Sequence, residues 1–323
     1  MMKNFLSVDD VADIAHLMDK ALAYKKAPYK DQALGQNKTL GMLFMNPSMR
    51  TRISTQIAAK NLGMEVVVFN VDKEGWRLEF ADGVVMDGAT AEHVKEAAAV
   101  MGQYFDLLAI RTFPGLKDRE ADYSESYIRQ FVRYAGIPVV SLESGTLHPL
   151  QSLADLITIR ERIADTRKGN KGGRVKVVMT WAPHIKALPQ SVPNSFAEWM
   201  GRWGETDFVI AQPEGYELDE QFTRGATIEH DQDKALQDAD FVYVKSWSSY
   251  KDYGSILSTD PSWMITAEKL QVTNDAKVMH CLPVRRNLVI ADEVLDGPAS
   301  IVTAEAGNRV WAAQAVLSEL LRS

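Results

Sequence analysis

Apolar residues in this chain gather in short unbroken runs, and between the runs they recur three or four positions apart. Runs of the first kind, at residues 40–45, 66–71, 107–113 and 138–142, predict buried strands. Segments of the second kind, such as 92–105 and 125–135, predict helices between them. After a helix at 150–163 the alternation restarts, with strands at 175–181, 208–211, 241–245 and 278–282 and helices at 194–203 and near 233–237. Strand and helix in turn imply parallel pairing through crossovers. The pattern therefore predicts an α/β fold of two domains, each a mainly parallel sheet flanked by helices, with the seam near residue 150.

The ends of the chain carry their own signals. Ser7 and Asp10 have capping-box spacing, and the pattern after them predicts one helix from residue 8 to about 26. The last segment, 304–321, reads as a single amphipathic helix despite Gly307. No solenoid repeat or low-complexity tract is visible. A Gly-x-Gly-x-x-Gly turn is also missing, so the sheet pattern does not call for a dinucleotide.

Composition narrows the possibilities. With 323 residues the chain is long enough for two cores, and 46% hydrophobic with 24% charged residues is a globular balance. A net charge of −7 with dispersed basic residues argues against a general nucleic-acid partner. The locally basic stretch at 167–174 is glycine-rich and reads as a solvated loop. One cysteine rules out an internal disulfide framework and a multi-cysteine zinc site. No apolar run reaches bilayer length and no basic segment precedes an apolar leader, so the expectation is a cytoplasmic protein without membrane contact.

The segment Ser48-Met49-Arg50-Thr51-Arg52 follows the first predicted strand and opens a helix that ends at Gly63. Free N–H groups and the positive end of the helix dipole would meet an anion there. Arg50 can grip two oxygens in a fork, and Ser48 and Thr51 add hydroxyl donors. An arginine-rich surface turn paired to acidic neighbours fits the loop equally well when it is taken alone. Arg111 ends a buried run, at the sheet edge where open α/β folds bind ligands. His148 and Gln151 lie one helical turn apart and can face one point. His280 and Cys281, as neighbours on a strand, would point to opposite faces, which argues against a metal.

Taken in order, Ser48-Met49-Arg50-Thr51-Arg52, His148-Pro149-Leu150-Gln151, His280-Cys281-Leu282-Pro283 and Glu305-Ala306-Gly307-Asn308-Arg309 resemble the carbamoyltransferases over nearly the whole chain. The resemblance implies a carbamoyl phosphate-binding domain at residues 1–150, to which the C-terminal helix 304–323 returns, and an acceptor-binding domain at 151–303. It implies that Ser48, Met49, Arg50, Thr51, Arg111, His148, Pro149, Leu150, Gln151, Cys281, Leu282 and Arg309 hold carbamoyl phosphate. Trp76 would reach the site of a neighbouring subunit in a homotrimer. Arg111, His148, Gln151 and Cys281 would act on the carbamoyl group. The amine attacks directly, Cys281 is not a covalent nucleophile, and the departing phosphate takes the proton. No cofactor and no metal are implied.

The Ser-Met-Gly tripeptide of ordinary ornithine enzymes is missing. In its place stands Thr180-Trp181-Ala182-Pro183-His184-Ile185-Lys186, similar to the branch that acts on ornithine with an acylated α-amine. By that resemblance Glu143, Lys245 and Arg285 contact the acceptor, with Trp181, His184 and Leu282 beside them. Where N-acetylornithine enzymes have a glutamate, this chain has Ala91, and where they can have a functional lysine it has Val289. A glutamate would repel the extra carboxylate of a succinyl group. The expected substrates are therefore carbamoyl phosphate and N-succinyl-L-ornithine, giving N-succinyl-L-citrulline and phosphate in arginine biosynthesis. N-acetylornithine carbamoyl transfer is the second reading, free-ornithine and aspartate carbamoyl transfer come after it, and a non-catalytic anion-binding regulatory protein is the reading from a different class.

Overall fold

Strands form where the chain is apolar enough to be buried on both faces, as parallel sheets require. The computed structural model describes residues 2–166 and 174–322. Its strands are β1 (Thr39–Phe44), β2 (Glu65–Asn70), β3 (Leu78–Glu79), β4 (Glu92–His93), β5 (Leu107–Arg111), β6 (Val139–Glu143), β7 (Lys176–Trp181), β8 (Asp207–Ala211), β9 (Thr227–Glu229), β10 (Phe241–Lys245) and β11 (Lys277–Met279). The helices are α1 (Ile14–Lys26), α2 (Met49–Asn61), α3 (Val71–Glu74), α4 (Val94–Tyr104), α5 (Arg119–Tyr123), α6 (Ser126–Tyr134), α7 (Pro149–Arg162), α8 (Ser191–Trp203), α9 (Gln232–Leu236), α10 (Asp292–Leu295) and α11 (Val302–Leu320). The chain forms two compact units. Met1–Gly115, Glu120–Leu150 and Arg309–Ser323 make the first, and Leu116–Arg119 with Gln151–Asn308 make the second.

In the first unit a four-stranded parallel sheet has the order β2-β1-β5-β6. Leu43, Leu108, Ile110, Ile128, Phe131 and Val139 belong to its core. Register decides what meets at the carboxyl end: Phe44 pairs with Arg111, and Arg111 with Glu143. The helix α2 leaves that same end, capped by Ser48, whose Oγ accepts the Thr51 N–H. It stops at Gly63, where φ is +83° and an added Cβ would lie 2.1 Å from the Gln32 carbonyl oxygen.

In the second unit five parallel strands have the order β11-β10-β7-β8-β9. Tyr243 of β10 stacks on Phe196 of α8 with ring centroids 4.2 Å apart. Both units match the predicted class of parallel sheets flanked by helices. Among the described residues no helix is long and apolar enough to cross a membrane.

Several local expectations change. The helix expected from residue 8 is a 3-10 turn, Val8–Asp10, carrying the Ser7/Asp10 capping box; Val11 is extended, and Asp13 caps a new helix by accepting the His16 N–H at 2.9 Å. A second strong capping residue three positions on offers the backbone a fresh start. Glu92 and His93 pair with Leu78 and Glu79 as a short parallel ladder before α4 begins. The strand expected at 278–282 ends at Met279, because Leu282 has φ +57° and its N–H donates to His280 Nδ1 at 2.8 Å. His280 and Cys281 thus lie in a turn, where strand alternation does not apply. The last helix is not amphipathic in its second half. Gln314 and Ser318 are fully buried there, with Gln314 accepting from Asn61 Nδ2 at 2.9 Å and donating to the Pro28 carbonyl at 2.6 Å. Residues 167–173 of the basic loop lie outside the described residues, while Arg174 pairs with Asp207 at 3.1 Å.

Candidate active site

The start of α2 is the organising point of the first unit. Thr51 Oγ1 hydrogen-bonds to Ser48 Oγ at 3.0 Å and accepts from Arg309 Nη2 at 2.6 Å and Arg111 Nη1 at 3.4 Å. The Ser48 and Thr51 pair, Arg111 and Arg309 are distant from one another in sequence. They meet because β1 and β5 are neighbours and because Arg309 belongs to the part of α11 within the first unit. Arg111 is buried beside Glu143, with which it forms an ion pair, and its Nε has no partner among the described residues. His148 is also buried, with Nε2 3.6 Å from the Glu143 carboxylate. Pro149 begins α7, and Leu150 is buried in its first turn. Two buried guanidiniums, a hydroxyl pair and a helix N-terminus make a setting for a small dianion with a polarisable carbonyl.

Met49 and Trp76 differ from the buried arginines. They are 70% and 60% exposed, and the Trp76 indole N–H donates to Glu92 Oε2 at 2.7 Å. Ala91 is exposed, and its backbone N–H donates to the Arg77 carbonyl at 3.0 Å. Beside it, Thr90, Arg77, Phe80, Asn46, Phe113 and Tyr127 line a cleft of about 560 Å³.

In the second unit the carboxyl ends of β7 and β10 bring Trp181 and Lys245 into register. Trp181 is packed in the core, donating to the Trp247 carbonyl at 3.0 Å and lying 4.6 Å from the Tyr216 ring, so it supports the strand end from behind. Lys245 donates to the Ser246 carbonyl at 3.2 Å. Arg285 Nε donates to His184 Nε2 at 3.1 Å. Burial, together with the charges of Arg285 and Lys245, holds His184 below its ordinary pKa, so it stands as a neutral acceptor. Val289 is buried.

Gln151, Cys281 and Leu282 belong to this unit as well. Gln151 Nε2 donates to Asp155 Oδ1 at 2.7 Å and to Glu305 Oε1 at 3.4 Å, and Glu305 Oε2 accepts the His280 N–H at 2.8 Å. Cys281 is buried next to that anchored residue. Burial and the negative charge of Asp155 push the Glu305 carboxyl well above the usual range. Sequence reasoning missed both acids as site residues. Asp155 carried a signal, since it lies four positions after Gln151 on one helix, whereas Glu305 was visible only as a letter of the Glu305–Arg309 motif.

Comparison with known proteins follows the same division. Residues 3–161 match the carbamoyl-P binding domain of aspartate/ornithine carbamoyltransferase, and residues 189–320 match its Asp/Orn binding domain. The chain belongs to the aspartate/ornithine carbamoyltransferase family.

Within that family it is 50% identical over 324 residues to an N-succinylornithine carbamoyltransferase of Bacteroides fragilis, covering 100% of this chain and 99% of the relative. An N-acetylornithine carbamoyltransferase of Xylella fastidiosa is 33% identical, with 99% and 98% covered. A solved structure of N-acetyl-L-ornithine transcarbamylase with one glutamate replaced by alanine, complexed with carbamyl phosphate and N-succinyl-L-norvaline, superposes with a TM-score of 0.90 at 33% identity, covering 98% of this chain and 99% of that one.

Proposed function

We propose that this chain transfers the carbamoyl group of carbamoyl phosphate to the δ-amine of N-succinyl-L-ornithine, giving N-succinyl-L-citrulline and phosphate. The observation that carries the acceptor is the 50% identity along the whole chain to an N-succinylornithine enzyme, against 33% to an N-acetylornithine enzyme. Ala91 supports it, being small and uncharged beside a cleft to which Arg77 contributes a cation, a setting suited to a second carboxylate.

In this reading Ser48, Met49, Arg50, Thr51 and Arg309 bind the phosphate at the start of α2, where hydroxyls, guanidiniums and the positive end of the helix dipole converge. Arg111 and His148 donate to the carbonyl oxygen, on which negative charge grows as the amine attacks. Gln151, Cys281 and the Leu282 backbone orient the carbamoyl group, with Pro149 and Leu150 setting the entry to α7. The nitrogen lone pair forms the new C–N bond, the C–O bond to phosphate breaks with its electron pair, and the phosphate takes the amine proton. Glu143 is fixed by Arg111 and so holds its carboxylate ready for the acceptor. Lys245, Arg285 and neutral His184 contact the acceptor's polar groups, with Trp181 as packed support.

The same reading makes the enzyme a cytoplasmic homotrimer in which Trp76 of one chain completes a neighbour's carbamoyl phosphate site. Its exposure supports this, as does a stripe of exposed Met49, Ile53 and Ile57 at four-residue spacing along α2. Initial rates with N-succinylornithine, N-acetylornithine and free ornithine at saturating carbamoyl phosphate test the proposal. The succinyl compound is expected to lead by at least about tenfold, or about 1.4 kcal/mol. A lead for the acetyl compound would overturn the acceptor and leave carbamoyl transfer standing, while turnover with none would remove both.

A further inference from the structure

A glutamine carboxamide has hydrogens to give on one side and an oxygen to accept on the other. In Gln151 the nitrogen faces two acids, Asp155 at 2.7 Å and Glu305 at 3.4 Å. Its Oε1 is buried and has no partner among the described residues. The amide cannot sit the other way round, because its oxygen would then face the Asp155 carboxylate. Gln151 is 1% exposed and both acids are fully buried, so no solvent competes for these contacts. The second oxygen of Glu305 accepts the His280 N–H at 2.8 Å, which ties α7 to the segment just past β11 that carries Cys281 and Leu282.

We infer that Asp155 and Glu305 are positioning residues for the carbamoyl group: they engage the amide hydrogens of Gln151, so that Oε1 is what it offers, and Oε1 accepts an N–H of the carbamoyl NH2. This rests on the carbamoyltransferase reading above and adds to it the reason why the site distinguishes a carbamoyl from an acyl phosphate. An oxygen left bare at this depth favours any ligand that brings a donor to it and disfavours one that brings a methyl group. Burial and the negative charge of Asp155 push the Glu305 carboxyl well above the usual range, in keeping with two acids set side by side against one amide.

Acetyl phosphate is the probe, since a methyl group stands in it where carbamoyl phosphate has NH2. Binding of carbamoyl phosphate, acetyl phosphate and inorganic phosphate is measured by calorimetry on the full chain and on Glu305→Gln and Asp155→Asn. Both substitutions are near-isosteric. The glutamine puts an NH2 against either the Gln151 amide or the His280 N–H, and the asparagine removes the charge that fixes the amide's direction. Wild-type protein should bind carbamoyl phosphate about tenfold to hundredfold more tightly than acetyl phosphate, and each variant should narrow that ratio by at least about fivefold while inorganic phosphate binds as before. A role confined to packing would weaken all three ligands together and leave the ratio unchanged, which overturns the inference. A wild-type ratio near one overturns it without recourse to any variant. Wild-type protein that binds no carbamoyl phosphate removes the carbamoyltransferase reading itself, and this inference with it.

Discussion

Thr51 shows how one side chain can depend on distant sequence. Its hydroxyl lies within hydrogen-bonding distance of Ser48, Arg111 and Arg309, so it holds the two guanidiniums in register with the start of α2. Thr51→Val keeps the shape and removes the oxygen. The affinity for carbamoyl phosphate should fall roughly tenfold, corresponding to about 1.4 kcal/mol, as the arginines lose their common acceptor, and calorimetry reads this directly. Unchanged affinity would show that the arginines are held by other contacts. Ala91 carries the acceptor prediction at this scale. Ala91→Glu should suppress turnover of N-succinylornithine at least tenfold, or about 1.4 kcal/mol, by setting carboxylate against carboxylate, and paired assays with the succinyl and acetyl acceptors check it. Retained succinyl turnover would detach specificity from this position. Thr51 and Ala91 could be picked out as letters in motifs. That Arg309 reaches Thr51 could not, because the contact spans 258 positions.

Among the elements, α11 differs most from its expectation. A helix read as amphipathic turns out to bury polar residues, and each has a partner: Gln314 bridges the Asn61 side chain and the Pro28 carbonyl. Gln314→Ala should therefore cost about 1–3 kcal/mol of stability, since it leaves the buried Asn61 amide without its acceptor and the half-buried Pro28 carbonyl without its donor. Urea unfolding measures the loss as a lower midpoint, and a midpoint within error of wild type would show that water satisfies both groups. The end of β11 teaches a related lesson. An apolar run predicts a strand, but Leu282 takes a positive φ and its N–H bonds to His280 instead of extending a ladder. Local turn chemistry overrides propensity there.

For the whole molecule the question is whether one chain suffices. Trp76 is exposed and bonded to Glu92, while Arg111 is buried against Thr51. If a site takes Trp76 from one subunit and Arg111 from another, Trp76→Ala and Arg111→Ala are each nearly inactive alone. Mixed after dissociation, they should regain a measurable part of wild-type activity, because some sites then draw both intact residues from different chains. Subunit exchange shown by mass spectrometry without any recovery would count against shared sites.

Periodicity by itself determined the class of fold, since unbroken apolar runs between helical segments can be buried only as parallel strands with crossovers. Motif letters determined which residues carry charge and hydroxyls, and the family resemblance attached a chemistry to them. Tertiary structure decided which of those residues meet. Register brought Arg111 beside Glu143, the last part of α11 brought Arg309 to Thr51, and a buried acid pair turned the Gln151 amide in one direction. The physical reason is range. Hydrophobic spacing and capping act over a few residues and are written locally, whereas burial of a charge or a bare oxygen depends on what the rest of the chain places around it.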